Sequence, residues 1–85
     1  MNLVFSAKAW QDYLWFQENE PKQVKKINRL LEECLRHPFE GIGKPEALKY
    51  DYAGFWSRRI NDEHRMVYQV RGEQLYIAAC RFHYE

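Results

Sequence analysis

Apolar positions along the chain are spaced first like a strand, then like helices, then like strands again. Asn2 to Phe5 fits a short opening strand, and Ser6 is placed to cap the N-terminus of a helix that follows. Trp10, Tyr13, Leu14 and Gln17 mark one face of that helix, with Trp15 and Phe16 widening it. Asn19 and Glu20 end it, and Pro21 suits the first turn of a second helix. There Val24, Ile27, Leu30, Leu31, Cys34 and Leu35 keep the 3.6-residue helical period. The spacing predicts that this helix stops before Pro38, because the residue preceding a proline disfavours the helical region.

From Phe39 to Glu46 the chain holds two glycines and Pro45 with no clear period, which predicts a structured loop. Strand-like runs follow at Ala47–Tyr50, Phe55–Asn61, His64–Val70 and Leu75–His83, separated by short segments of turn residues. Short connections predict antiparallel pairing. The expected fold class is α+β: an N-terminal helical hairpin packed on one face of a twisted antiparallel β-sheet.

A chain of 85 residues predicts a single domain spanning 1–85. Its 46% hydrophobic content, with three Trp, six Tyr and five Phe, supplies a core and leaves rings over for the surface. The longest apolar run, Leu75 to Cys80, is far too short to span a membrane, and no basic start leads into an apolar stretch as in a signal peptide. A cytoplasmic location is expected. Cys34 and Cys80 match no metal or redox spacing and read as two reduced, buried thiols. The net charge of +1, without a basic tail in either half, excludes a protein that coats nucleic acid by bulk charge; RNA contact would have to come from local groups.

No nucleophile motif, phosphate loop or dinucleotide fingerprint is present. His37, His64 and His83 have no ligand-like spacing with each other or with cysteine, so neither a metal nor a cofactor is expected. What remains is acid–base chemistry assisted by cations. Cleavage of RNA by its own 2′-hydroxyl needs only a base, an acid and positive charge around the phosphate. Candidates are scattered: Glu46 at a loop-to-strand junction, Lys49, Arg58 and Arg59, Arg65, and Arg81, His83 and Tyr84 near the end. Arg58 and Arg59 must point to opposite sheet faces, so at most one joins any one site. By default Glu46 is a solvated loop carboxylate, His37 a residue favoured by the end of its helix, and Lys22, Lys25, Lys26 and Arg29 the wet face of an amphipathic helix.

Four ordered blocks add to this reading: HPFEGIGKPEALK from His37 to Lys49, GFWSRRI from Gly54 to Ile60, EHRMVY from Glu63 to Tyr68, and AACRFHY from Ala78 to Tyr84. Together they resemble the YoeB toxins of the RelE/ParE superfamily, ribosome-dependent mRNA interferases paired with YefM-type antitoxins. The resemblance spans the whole chain. It implies two helices against a twisted antiparallel sheet, and cleavage of mRNA in the ribosomal A site to a 2′,3′-cyclic phosphate and a free 5′-hydroxyl. It assigns Glu46 as general base, Arg65 to the transition-state phosphate, His83 as general acid and Tyr84 to substrate positioning. Lys49 and Arg59 become phosphate contacts, with Lys44 a weaker one. The implied partners are a YefM-like antitoxin, the ribosome with its mRNA, and a second copy of the chain. The basic helix face of Lys22, Lys25, Lys26 and Arg29 is then expected to meet ribosomal RNA.

The chain departs from the family pattern in three places. Ala47 stands where proline is common, Phe82 replaces a frequent tyrosine, and Glu85 follows the His-Tyr pair that often ends the chain. None of these removes an expected catalytic group. Two other readings compete. One is a ParE-type inhibitor that binds a topoisomerase without cutting RNA, which would not be expected to keep the Glu, Arg and His set. The other is a simple RNA-binding module, against which the lack of a stacking motif counts.

Overall fold

A computed structural model describes residues 1–82. The elements run β1 (Asn2–Phe5), α1 (Ala7–Asn19), α2 (Pro21–Arg36), β2 (Glu46–Ala47), a 3-10 turn (Tyr50–Tyr52), β3 (Trp56–Arg59), β4 (Arg65–Arg71) and β5 (Gln74–Ala79). The five strands form one sheet in the order β1-β5-β4-β3-β2. Pairing along β2 to β5 is antiparallel, as their short connections predict, but β1 lies parallel to β5 with Leu3 opposite Leu75. The sheet is therefore mixed. A strand followed by two helices before the next strand is free to return in either direction, and here it enters beside the last strand.

Ser6 caps α1 as expected: its hydroxyl oxygen accepts from Ala9 N at 2.9 Å. The same hydroxyl donates to the Ala78 carbonyl at 2.7 Å, which ties the helix start to β5. The buried stripe of α1 differs from the expected one. It is Ala9, Asp12 and Phe16, while Trp10 is 48% exposed and Gln17 fully on the surface side. Trp10 instead stacks on Tyr13 beside Phe5, so these rings shield one another at the edge of the molecule. α2 buries the stripe its period predicts, with Ile27, Leu30, Leu31 and Cys34 inward, and it ends at Arg36. Pro21 opens it at the position where a missing N–H does no harm.

The helices cover one face of the sheet. Phe16, Ile27, Leu30 and Cys34 meet Met66, Tyr68, Leu75 and Ile77 in the core. Cys34 and Cys80 are free and buried, and burial raises both thiols above the usual thiol value, Cys80 to about 12 with the Asp12 carboxylate adding to the effect.

Two strand ends depart from the sequence expectation. The run expected at Ala47–Tyr50 pairs only over Glu46–Ala47 and then tightens into the 3-10 turn, with Tyr50 at φ 57. The last strand stops at Ala79 rather than reaching His83. The Cys80 N–H turns away from the ladder and donates to Asp12 Oδ2 at 3.0 Å. Among the described residues, no helix is long and apolar enough to cross a membrane.

Candidate active site on the open face of the sheet

The loop between α2 and β2 is organised from below by Arg58. Its side chain is fully buried, and an unpaired guanidinium there would be strongly disfavoured. The loop answers with carbonyl oxygens. Nη2 donates to His37 and to Glu40 (2.8 Å), Nη1 donates to Ile42 (3.2 Å), and Nε donates to the Tyr68 hydroxyl (3.2 Å). The Glu33 carboxylate lies 3.6 Å from Nη1 and also accepts from Ile42 N at 2.7 Å. Burial holds the Tyr68 hydroxyl well above the usual phenol value despite the nearby Arg58, so it stays protonated and donates to the Pro38 carbonyl at 2.6 Å. Gly43 then passes so close to α2 that an added Cβ would sit 2.8 Å from Leu30 Cδ2, at a φ of 81 that favours glycine. The Gly43 carbonyl accepts from Arg59 N at 2.6 Å. This contact delivers Lys44, Pro45 and Glu46 to the edge of β3.

Register places the candidate residues on one face. Residues directly opposite in a sheet share a face, and so do positions two apart along a strand. Glu46 faces Ser57 and Arg59 faces Arg65. Glu46, Ser57, Arg59, Arg65 and Val67 therefore lie on the face away from the helices, whereas Arg58, Met66 and Tyr68 point into the core. Glu46 and Arg65 are two strands apart and offset by two residues, so their Cα atoms are roughly 12 Å apart.

Two arginines directly opposite each other repel, and structural pairs normally avoid this. Arg65 is partly relieved by carbonyl oxygens: Nη1 donates to Asn61 (2.6 Å), His64 (3.1 Å) and Asp62 (3.3 Å). Among the described residues, neither Arg59 nor Arg65 forms an ion pair, and neither does Glu46. The face thus holds two cations and a carboxylate with charge unspent on one another. Lys44 and Lys49 are exposed at the ends of the segment that carries Glu46. Beside them, a cleft of about 200 Å³ is lined by Asp51, Tyr52, Phe55, Val67, Ala78 and Ala79.

Phe82 is brought to the start of β4. Arg65 N donates to the Phe82 carbonyl at 2.9 Å, and Phe82 N donates to His64 Nδ1 at 2.9 Å. The Arg81 guanidinium stacks on the Trp15 ring at 3.6 Å. These contacts join Arg65 and His64 to Phe82. His83 and Tyr84 lie outside the described residues.

Residues 5–84 match the profile of the YoeB-like toxin of bacterial type II toxin–antitoxin systems. The chain is 56% identical over 84 residues to Toxin YoeB of Escherichia coli (strain K12), covering 99% of this chain and 100% of the relative. It belongs to the YoeB toxin family. Its fold superposes on the YoeB/ParE toxin from Agrobacterium tumefaciens with a TM-score of 0.95 at 50% identity, over 99% of this chain and 100% of that one. YoeB from Staphylococcus aureus, 52% identical over 99% of this chain and 98% of its own, is known as a dimer (TM-score 0.91) and in a heterotetrameric complex with YefM (TM-score 0.89).

In this YoeB-family chain, the open face gathers Glu46, Arg59 and Arg65 but not the basic residues of α2. Lys22, Lys25, Lys26 and Arg29 sit on the helix layer, which covers the other side of the sheet. Three residues that shape the site were not singled out by sequence reasoning: Asp12, Glu33 and His64. Asp12 did leave a signal, as a lone carboxylate inside the Ala9–Phe16 stripe. Glu33 and His64 left none, because only the fold brings Glu33 to Arg58 and Ile42 N, and His64 to Phe82 N.

Proposed function

We propose that the protein is an endoribonuclease that cuts mRNA in the ribosomal A site without a metal ion. One observation supports this beyond family membership: two opposed arginines and a carboxylate share the open sheet face with no ion pair to a described residue. Such a face is suited to an anion with a proton to lose nearby, and a ribose phosphodiester supplies both.

In this reading the Glu46 carboxylate takes the proton from the 2′-hydroxyl, and the 2′ oxygen attacks phosphorus. Arg65 and Arg59, helped by Lys44 and Lys49, stabilise the pentavalent phosphate. The bond from phosphorus to the 5′ oxygen breaks, and His83 supplies the proton that oxygen needs. Tyr84 orients the substrate. The products are a 2′,3′-cyclic phosphate and a free 5′-hydroxyl. Dependence on the ribosome has a physical basis. A free RNA rarely aligns the 2′ oxygen with the leaving oxygen, and a codon held in the A site is fixed in a single conformation. The site of action is then the cytoplasm. The Staphylococcus aureus relative in complex with YefM supports a YefM-like antitoxin as partner here, and its dimer supports a homodimer.

The test is primer extension on ribosome-bound mRNA with wild type and Glu46→Gln. Gln keeps the shape of an exposed side chain, so folding is unaffected. Cuts are expected only in the A-site codon, with ends carrying a cyclic phosphate, and slowed about 100-fold or more in the variant. Undiminished cutting by Glu46→Gln removes Glu46 as the base. Ends bearing a 5′-phosphate would point to an activated water instead. No cutting by folded wild type would leave a binding-only inhibitor.

A further inference from the structure

One buried side chain beside the site takes no part in the reaction above. His64 is 1% exposed, enclosed by the rings of Phe16, Trp15 and Phe82 at centroid distances of 5.1, 5.9 and 5.7 Å. Its Nδ1 accepts from Phe82 N at 2.9 Å, so the ring proton sits on Nε2. Among the described residues, Nε2 has no hydrogen-bond partner, lying 3.6 Å from Glu63 Oε1 and 3.8 Å from Glu20 Oε2. Packing alone does not explain a histidine here. An apolar ring would fill the same space and remove a buried N–H that none of the described residues accepts. What histidine adds is the acceptor for Phe82 N.

Phe82 needs that acceptor. Its φ of 68 lies in the left-handed region that side chains disfavour, so the turn persists only if held from outside. It is held at both of its backbone groups by consecutive residues: His64 Nδ1 takes the N–H, and Arg65 N binds the carbonyl. The Asn61 carboxamide in turn fixes His64, accepting from its N–H at 2.8 Å. The residue after Phe82 is His83.

We propose that His64 is a positioning residue: by gripping Phe82 N, its Nδ1 fixes the backbone of Phe82, the residue to which His83 is joined. This rests on the reading of His83 as the acid. It separates two properties that a merely structural histidine would keep together.

His64→Phe keeps the ring and loses the acceptor. His64→Asn puts an acceptor oxygen at the Nδ1 position and loses the ring. On ribosome-bound mRNA, His64→Phe should melt near the wild-type temperature yet show kcat lowered roughly 10- to 100-fold, with KM little changed. His64→Asn should melt lower yet cut, per folded molecule, close to the wild-type rate. The proposal is overturned if His64→Phe cuts as fast as wild type, or if His64→Asn is as slow as His64→Phe. A folded wild type that cuts nothing sinks the nuclease reading itself and this proposal with it.

Discussion

Arg58 shows how one side chain can set the geometry of a neighbouring loop. Its buried charge draws three loop carbonyls and the Glu33 carboxylate toward it. Arg58→Met should lower stability by about 3 kcal/mol or more, because those acceptors lose their donor together. Urea unfolding reads the loss directly. Cutting per folded molecule should fall as well, because Gly43 to Glu46 is no longer held against β3. An unchanged midpoint would show that the loop holds itself. Arg58→Lys should rescue little, since an ammonium cannot reproduce a guanidinium's spread of donors. The sequence shows that Arg58 and Arg59 face opposite ways, but not that the inward one organises a loop, because its partners are carbonyls that any residue carries.

Between elements, the Ser6 and Asp12 side chains tie the start and middle of α1 to β5 and to Cys80 just beyond it. Asp12→Ala should strand the Cys80 N–H and cost about 1–3 kcal/mol. The exposed Lys8 that pairs with Asp12 contributes little of this, since screening by water weakens such ion pairs. Hydrogen exchange at Cys80 should quicken more than within β5; if that amide stays protected, something else ends the strand. These contacts also mark where the elements were legible in sequence. α2 was readable in full, because a regular apolar period and a following proline are local signals. α1 was readable as a helix but not as to face, since its rings pack on one another at the edge while a carboxylate goes inside. The end of β5 was not readable: the residues after Ala79 look like a strand, and the groups that divert them, Asp12 and His64, lie far off in sequence. Glu46 and Arg65 stood among several scattered candidates and took roles only by resemblance to a family; strand register put them on one face with Arg59.

At the scale of the molecule, the helix layer and the open sheet face carry two separate sets of cations. The chain is nearly neutral overall, so attraction to RNA depends on where the charges lie. If the α2 residues Lys22, Lys25, Lys26 and Arg29 meet ribosomal RNA, replacing all four by Glu should weaken ribosome binding. It should also flatten the dependence of affinity on salt, because fewer counterions are released. Unchanged binding and an unchanged salt slope would confine recognition to the open face.

The parallel pairing of β1 with β5 bears on how the protein comes into being. Asn2 lies opposite Gln74 and Phe5 opposite Ile77. Bringing such distant segments together costs roughly 4 kcal/mol of chain entropy before any bond between them forms. The local hairpins of β3, β4 and β5 close more readily, and β1 docks onto what they build. During translation β1 emerges long before its neighbour exists, and so do Asp12 and Ser6, whose partners Cys80 and Ala78 come near the end. A nascent chain therefore cannot complete its sheet while most of β5 is unmade. On the reading proposed here, the newborn toxin matures only once β5 has been made, and until then the ribosome that is making it is spared.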